Sequence, residues 1–304
     1  MKCLVTGGAG FIGSNLAIHL GELGHEVTVI DNFISGHLNN LTGFGGKIIS
    51  GDEETVFDIN NSFDVVFHQA AITDTTIDDK EKMFKNNVEG FKHILNFCEN
   101  KECRLVYASS AAVYGLGKVP MKEDQELEPL NIYGKSKLQM DRIAERYCEK
   151  IKTIVGLRYF NVFGPREHYK GKMASMIYKL ALQIKAGIRP RIFRYGEQLR
   201  DHIYIKDVVD ANVKAMFYEG FDIFNVGTGI ETNFNDLIYN INNALGTSFD
   251  PEYFDNPYIG SYQNNTLADM SNTQKRLGFK AKYNVSEGIV DYLKWLDSIG
   301  WYDE

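Results

Sequence analysis

The stretch "LVTGGAGFIGSNL", residues 4–16, decides the fold of this chain. Its glycines fit both G-x-G-x-x-G and G-x-x-G-x-x-G, and the stretch lies between an apolar predicted strand and a predicted helix. Because glycine has no side chain, the backbone can turn tightly and approach a pyrophosphate held at the helix N-terminus. This context predicts dinucleotide binding. The residues of this turn that we expect at the cofactor are Gly7, Gly10, Phe11, Ile12 and Gly13.

Acidic residues after the second and third predicted strands bear on the choice of cofactor. Asp31, followed by Asn32, ends the second strand and can accept hydrogen bonds from the adenosine ribose hydroxyls. A 2′-phosphate would need a nearby cation, and from Asp31 to Gly46 there is no Lys or Arg and only one histidine. We therefore expect NAD, with NADP as the alternative. Asp52 is a candidate for the adenine edge, although a solvated turn aspartate explains it equally well.

The first half of the chain alternates strands with helical patterns, which indicates a parallel sheet with helices on both faces. The predicted strands are 2–6, 26–31, 47–50, 63–68, 103–108 and 153–158. After residue 165 the pattern changes, and only "FDIFNVGTG" reads as a return to the main sheet. We expect an α/β fold, a Rossmann-like doubly wound parallel sheet with a smaller mixed α/β substrate-binding lobe. The expected division is 1–165 plus 221–245 for the dinucleotide and 166–220 plus 246–304 for the substrate.

Composition excludes several other classes of protein. The 304 residues are 44% hydrophobic and 24% charged, which is ordinary for a globular enzyme, and a net charge of −7 argues against nucleic-acid binding. No apolar run is long enough to span a membrane, and the first strand begins at residue 2, so we expect no signal peptide and a cytoplasmic location. The four cysteines have no metal-ligand spacing, and we expect reduced thiols and no metal site.

The segment "NIYGKSKLQM", residues 131–140, predicts the catalytic groups. Tyr133 and Lys137 are four residues apart at the start of a predicted helix, so their side chains project in the same direction. A phenol has a pKa near ~10 in water, and a neighbouring ammonium should lower the pKa of Tyr133 enough for general acid/base work on an alcohol. Ser110, just past the fifth strand, can hydrogen-bond the same substrate oxygen.

Several motifs together resemble the extended short-chain dehydrogenase/reductase family, and among its members the nucleotide-sugar epimerases match best. The motifs are "TGGAGFIG", "HQAA", "NNVEG", "YASSAAVYG", "YGKSK", "RYFNVFGPR" and "RDHIYIKD". The resemblance implies Tyr133 as acid/base, Lys137 as its activator and nicotinamide-ribose ligand, and Ser110 as hydrogen-bond partner. It implies further cofactor contacts from Gln69, Ala70, Ala71 and Asn86, and sugar-nucleotide contacts from Asn161 and Val162.

The segment "GPREHYKGKMAS" resembles those members of the family that invert C6 of a nucleotide-linked heptose. In them a lysine of the K-G-x-M-A-S motif serves as a second base, and Lys170 holds that position. We expect the diphosphate of a nucleotide-diphosphate sugar to be held by Lys172, Lys179 and Arg200, and the base to stack on aromatic side chains. Candidates for stacking are Tyr169, Phe193, Tyr195 and Tyr262. We also expect a homo-oligomer.

Alternatives remain open from the sequence. One is a UDP-hexose 4-epimerase, in which a single tyrosine can serve both half-reactions. A 4,6-dehydratase would carry Asp-Glu directly after the active-site serine or threonine, where this chain has Ala111 and Ala112. A non-catalytic dinucleotide-binding regulator commonly loses the tyrosine or the lysine, and both are present. A net dehydrogenase would release NADH.

Overall fold

A seven-stranded parallel sheet forms the centre of the computed structural model, which describes residues 1–59, 61–256 and 265–301. Its strands are β1 (Lys2–Thr6), β2 (Glu26–Asp31), β3 (Lys47–Ser50), β4 (Val65–His68), β5 (Arg104–Ser110), β6 (Thr153–Tyr159) and β10 (Gly220–Val226). The order across the sheet is β3-β2-β1-β4-β5-β6-β10, and every neighbouring pair is parallel. The predicted doubly wound fold is confirmed.

Helices cover both faces of this sheet. The described helices are α1 (Phe11–Glu22), α2 (Lys80–Phe84), α3 (Gly90–Lys101), α4 (Ile132–Arg146), α5 (Met176–Lys185), α6 (Ile205–Ala215), α7 (Phe234–Leu245) and α8 (Val285–Ile299). Of these, α1 and α6 pack on one face of the large sheet and α3 and α4 on the other. Side chains alternate along each strand, so Val5 packs in the apolar cluster under α1 and α6, whereas Leu4 packs in the cluster under α3 and α4. Burial on both faces explains why these strands read as nearly continuous apolar runs.

The smaller lobe is built on short strands. They are β7 (Asn161–Phe163), β8 (Arg191–Phe193), β9 (Leu199–Tyr204), β11 (Glu231–Asn233), β12 (Glu252–Phe254) and β13 (Asn265–Thr266). β9 pairs with β7 and β13 in parallel and with β11 antiparallel, while β8 and β12 form a separate parallel pair. A mixed sheet next to the parallel one agrees with the expected second lobe.

Two helices differ from the expected division of the chain. α6, which was expected in the substrate-binding lobe, packs on α1 and on β6 of the large sheet as well as on β7 and β9 of the smaller lobe. Conversely, α7 was expected with the dinucleotide-binding part, but it packs on α5 and α8. The chain therefore crosses between the two parts at other points than its pattern of strands suggested.

The chain reverses its winding direction between β1 and β4, which are neighbours in the sheet. In doubly wound folds the crevice at the carboxyl ends of such strands is where ligands bind. The turn after β1, the loop after β4 and the end of β5 all open onto this edge. In the residues that the structure describes, no helix has both the length and the apolarity needed to cross a membrane.

Candidate active site

The glycine turn after β1 is shaped by close backbone contacts. Gly7 has φ +66°, a conformation that L side chains rarely adopt, and its N–H donates to Ile30 O at 2.8 Å. A Cβ at Gly7 would lie 2.6 Å from Ala70 N, and one at Gly13 would lie 2.2 Å from Gly7 O. A side chain at either position would therefore clash with the backbone that shapes the turn.

The start of α1 has the features of an anion-binding site. Gly10 is its N-cap, no side chain caps the helix, and the first turn holds no acidic residue. The first N–H groups of the helix, those of Phe11, Ile12 and Gly13, thus have no side-chain acceptor from the cap, and the helix dipole favours negative charge there. These observations fit the diphosphate of a dinucleotide.

Asp31 ends β2 beside this turn, and its side chain is 6% exposed. One carboxylate oxygen accepts a hydrogen bond from Ala9 N at 2.9 Å and the other from Phe33 N at 2.8 Å. A Cβ at Gly36 would lie 2.5 Å from the carboxylate, so that loop closes on it. Asn32 is used locally, since its side-chain oxygen accepts from Ile34 N at 3.1 Å.

The loop after β4 packs against the glycine turn, whereas the loop after β3 carries an exposed turn aspartate. Asp52 is exposed and its carboxylate accepts from Glu54 N at 3.1 Å, which is the role of a turn aspartate. After β4, the backbone of Ala70 packs on Gly7, and the half-buried Ala71 follows it. The side chain of Gln69, in contrast, is bonded to Asn212 on α6 at 3.1 Å and to Tyr159 on β6 at 3.2 Å.

Asn86 and its neighbour Asn87 are placed differently. Its side chain is exposed and donates to Lys82 O of its own helix at 2.9 Å. Asn87 is the buried one, and it bonds Ile72 N at 2.8 Å and Ser136 Oγ at 3.0 Å. The two asparagines lie in a π-helical stretch, Lys85–Glu89, which shifts the side of the helix that faces inward.

The helix α4 brings the predicted catalytic side chains together. Asn131 caps it by accepting from Gly134 N at 2.8 Å, which fixes Tyr133 in the first turn. Ser110 ends β5 beside the Tyr133 phenol, and its hydroxyl accepts from Ala112 N at 3.2 Å. One turn further on, Lys137 Nζ donates to Ala108 O at 2.8 Å and lies 5.9 Å from the centre of the Tyr133 ring.

Burial shapes the ionisation of both groups. It lowers the pKa of Lys137 to about 8, while the carboxylates of Asp141 and Glu53 oppose that shift. Burial also raises the pKa of Tyr133, and the hydrogen bond from Ser110 only opposes the rise. The expected lowering of the tyrosine pKa by its lysine neighbour is therefore not what these side chains produce. Sequence reasoning also missed the two carboxylates, of which Asp141 follows Lys137 at helical spacing.

Lys170 lies on the opposite element of the site, the 3₁₀ turn His168–Met173 of the smaller lobe. Its Nζ is 5.5 Å from the ring centre of Phe11, so it stands over the first residue of α1. Burial lowers the pKa of the Lys170 ammonium, and the carboxylate of Glu167 opposes this, whereas Lys179 adds to it. A lysine of this kind can release its proton more readily than a solvated one.

The other cations predicted for substrate are engaged with the protein. Lys172 Nζ lies 2.9 Å from a carboxylate oxygen of Asp74 and 3.3 Å from Thr76 Oγ1. Lys179 Nζ donates to Lys172 O at 2.5 Å. Arg200 is 8% exposed in β9, and its Nη1 donates to Leu199 O at 2.8 Å. Of the three, Arg200 is the one set inside the mixed sheet.

The remaining predicted substrate residues lie on the short strands. Asn161 Nδ2 donates to Asp201 O at 3.0 Å and to Thr266 Oγ1 at 3.1 Å, and Val162 pairs with Ile203. The ring of Phe193 packs edge-on against that of Phe254, with 5.0 Å between centres. Tyr262 lies outside the described residues.

Tyr169 forms a contact that the sequence did not indicate. Its ring stacks on that of His37, with 3.7 Å between centres and 12° between planes. Its hydroxyl accepts from Asn39 Nδ2 at 3.0 Å. Together with the Lys172–Asp74 ion pair, this contact joins the 3₁₀ turn of the smaller lobe to two loops at the crevice; we call residues 169–172 the clasp.

Comparison with known proteins identifies the protein family. The model of the family described as "NAD dependent epimerase/dehydratase family" matches residues 3–227. The chain is 40% identical to the ADP-L-glycero-D-manno-heptose-6-epimerase of Brachyspira hyodysenteriae, with 98% of this chain and 99% of that protein covered.

Solved structures of epimerases are also similar to this chain. The Helicobacter pylori ADP-L-glycero-D-manno-heptose-6-epimerase superposes with a TM-score of 0.92 at 39% identity, covering 98% of this chain and 96% of that one. A UDP-N-acetylglucosamine 4-epimerase from Methanobrevibacter ruminantium, in complex with UDP-N-acetylmuramic acid, also gives 0.92, at 31% identity with 98% of each chain covered. With its glycine cradle and its Ser-Tyr-Lys group in place, the chain belongs to the NAD-dependent epimerase/dehydratase family.

Proposed function

We propose that the protein is an ADP-L-glycero-D-manno-heptose 6-epimerase. The observation that carries this proposal is the grouping of Ser110, Tyr133 and Lys137 at the end of β5, in a chain so similar over its length to two heptose epimerases. The geometry supports proton transfer at an alcohol, and the similarity supports the choice of heptose.

In this proposal the bound dinucleotide supplies reversible hydride transfer at the carbinol carbon. Tyr133 takes the proton of the substrate hydroxyl in the oxidation, Ser110 holds the same oxygen by a hydrogen bond, and the proton needed in the re-reduction comes from a second group. Lys137, buried and close to the Tyr133 ring, stabilises the phenolate by its positive charge. Because burial raises the pKa of Tyr133, the phenolate depends on such a cation.

Lys170 is proposed as the second acid/base. Rotation about the bond between C6 and the sugar ring exchanges the faces of a side-arm aldehyde and carries its oxygen away from one proton donor. A donor on another element is then useful, and Lys170 projects from the smaller lobe over the start of α1. Its lowered pKa makes the ammonium a readier proton donor than a solvated lysine.

The cofactor is held, in this proposal, by the glycine turn and by Asp31. The diphosphate lies at the first N–H groups of α1, and the fixed carboxylate of Asp31 faces the ribose. Asp31 disfavours a 2′-phosphate, and His37, which is stacked on Tyr169, is the one residue from 31 to 46 that can carry a positive charge. We therefore expect mass spectrometry of the denatured protein to find NAD; mainly NADP would overturn this assignment.

Substrate contacts are proposed for the smaller lobe. Asn161 and Val162 on β7 and Arg200 on β9 lie on strands that are paired directly with each other. Arg200 offers planar donors that match a diphosphate. Lys172 and Lys179 would contribute by exchanging their present partners for phosphate oxygens, and Phe193 and Tyr262 by stacking on the base.

The test is a panel of nucleotide sugars that includes ADP-heptose and UDP-hexoses, with stereochemistry followed by NMR. Inversion at C6 of ADP-heptose by the native chain, and none by Tyr133→Phe, is the expected result. Inversion of C4 of a UDP-hexose with ADP-heptose untouched would make the protein a UDP-hexose 4-epimerase. Net accumulation of NADH would instead identify a dehydrogenase.

Two properties of the whole protein stay predictions. A homo-oligomer is expected, and light scattering coupled to gel filtration measures it. A cytoplasmic location is expected, and cell fractionation checks it.

A further inference from the structure

Asp141 extends the catalytic face of α4 by one more turn. Tyr133, Lys137 and Asp141 are spaced four residues apart, so they follow one another along the helix. The side chain of Asp141 is 3% exposed. Its carboxylate is held by the neighbouring strands, with one oxygen accepting from the Tyr107 hydroxyl at 3.0 Å and the other from Arg158 Nε at 3.0 Å.

This anchoring fixes the carboxylate from the sheet side. Tyr107 on β5 and Arg158 on β6 are both buried. Arg158 is held in turn, because its Nη1 donates to Tyr114 Oη at 3.0 Å and to Glu123 O at 3.0 Å. Asp141 is therefore bonded to Arg158 and not to Lys137, whose Nζ donates to Ala108 O.

The charge of Lys137 needs support from its surroundings. The side chain is 1% exposed, and an ammonium in such a place is costly unless negative groups compensate it. The ionisable groups around it are Tyr133 and Asp141 from its own helix, Glu53 from the loop after β3 and His68 from β4. His68 is buried and uncharged, because burial, with the charge of Lys137 adding, lowers its pKa to about 3.

We propose that Asp141 is a positioning residue for the epimerisation, which keeps Lys137 charged from one helical turn away while Arg158 and Tyr107 hold it back from a direct ion pair. This rests on the proposed function, in which the Lys137 cation acts on Tyr133. A direct ion pair would occupy the N–H donors of the ammonium. A carboxylate that is held back sustains the charge and leaves those donors to the reaction.

The test is a pH titration of Lys137, observed by NMR of protein labelled with ε-¹³C-lysine and loaded with dinucleotide. The resonance is assigned by its loss in Lys137→Met. Asp141→Asn should lower the pKa of Lys137 by about one unit, since an opposite charge has been removed, and Asp141→Glu should restore most of it. In Asp141→Asn, the alkaline limb of the pH profile of kcat should move to lower pH by the same amount, because activity is lost as Lys137 deprotonates.

Matched variants separate the charge of Asp141 from its packing. Tyr107→Phe removes one hydrogen bond to Asp141 but keeps the carboxylate, and Glu219→Gln removes a carboxylate from the surface pair with Arg104. Tyr107→Phe should not lower the pKa of Lys137, and Glu219→Gln should leave it unchanged. An unmoved titration in Asp141→Asn, or an equal shift in Tyr107→Phe, would overturn the proposal.

A second variant is needed in case Asp141→Asn does not fold, since it leaves the buried Arg158 without its carboxylate partner. Asp141→Asn combined with Arg158→Met removes both charges, which buried pairs often tolerate, and it should also lower the Lys137 titration. An unmoved titration in this double variant overturns the proposal as well. The NMR titration needs no turnover. It therefore tests the role of Asp141 even if the protein does not epimerise ADP-heptose, and the two proposals can fail separately.

Discussion

At the scale of single residues, the site combines a phenol whose pKa is raised with an ammonium whose pKa is lowered. Both shifts have the same first cause, which is burial, and both disfavour the charged forms. In the proposed mechanism the charge of Lys137, whose Nζ lies 5.9 Å from the centre of the Tyr133 ring, stabilises the phenolate, so the two side chains act as a pair.

Removing the phenol should stop the reaction without unfolding the protein. Tyr133→Phe deletes only the proton-transfer oxygen, so turnover should fall by roughly 10²–10⁴ while cofactor content stays the same. Steady-state rates and the absorbance of the purified protein measure the two quantities. Wild-type turnover in this variant would remove Tyr133 from the mechanism.

Lys137 should lower the stability of the fold at neutral pH. Its pKa is lowered from 10.5 to about 8, so the native state holds a buried charge that the unfolded chain solvates. That cost is fully present below the folded pKa near 8 and disappears as the pH rises toward 10.5.

Lys137→Met should consequently stabilise the protein by about 2 kcal/mol at pH 6.5, less than the full shift implies because the hydrogen bond to Ala108 is lost. The gain should shrink when unfolding is measured at pH 9.5. Denaturant unfolding of native and variant chains at the two pH values checks this. A gain that is equal at both would show that the ammonium is not the cause.

At the scale of elements, the 3₁₀ turn His168–Met173 carries both the proposed second base and the clasp. Lys170→Met should lower kcat by roughly 10²–10⁴, the range of general acid/base residues, and it should retain the cofactor. Lys185→Met, which alters a surface pair with Asp297 in the same lobe, is the control and should change kcat little. Wild-type kcat in Lys170→Met would favour the 4-epimerase alternative.

The clasp should govern how long the cofactor stays bound. Tyr169→Ala removes both the ring stacked on His37 and the hydroxyl bonded to Asn39, so dissociation of the dinucleotide should become at least about tenfold faster, which corresponds to about 1.4 kcal/mol. Tyr169→Phe keeps the ring and should have a smaller effect. Stopped-flow fluorescence measures the rate, and no change in Tyr169→Ala would mean that the clasp is only structural.

Elements also explain what the sequence could predict. Five of the first six strands were predictable because each is a buried parallel strand and reads as an apolar run, whereas β3, at the edge of the sheet, is largely exposed. Which of Asn86 and Asn87 is buried could not be predicted from the sequence. Both lie in a π-helical stretch, which changes the helical phase and so the side chain that faces inward. Asp141 was detectable from its helical spacing, whereas the stacking of Tyr169 on His37 joins segments far apart in sequence and has no local signal.

At the scale of the whole molecule, the large sheet is completed by a strand from late in the chain. β10 pairs with the fully buried β6 along its length, and the smaller lobe is built from the residues between them and after them. The two parts of the molecule therefore depend on each other for their cores.

A fragment of residues 1–165 should accordingly fail to fold cooperatively. It lacks β10, which covers the edge of β6, and α6, which packs on α1. Circular dichroism on heating should show a broad transition where the full chain gives a sharp one, and the fragment should bind a dye for exposed apolar surface. A sharp transition would show that the first part is an independent domain.

The late position of β10 has a consequence for synthesis. β6 ends at Tyr159 and β10 begins at Gly220, so a ribosome that has finished the first must add the whole intervening segment before the second emerges. At elongation rates of about 5–20 residues per second, the unpaired edge of β6 stays open for roughly 3–12 s on each nascent chain. During that interval its apolar strand is available to any neighbouring polypeptide. The yield of the enzyme in a cell is therefore set partly by how well nascent chains are shielded until residue 226 has been translated.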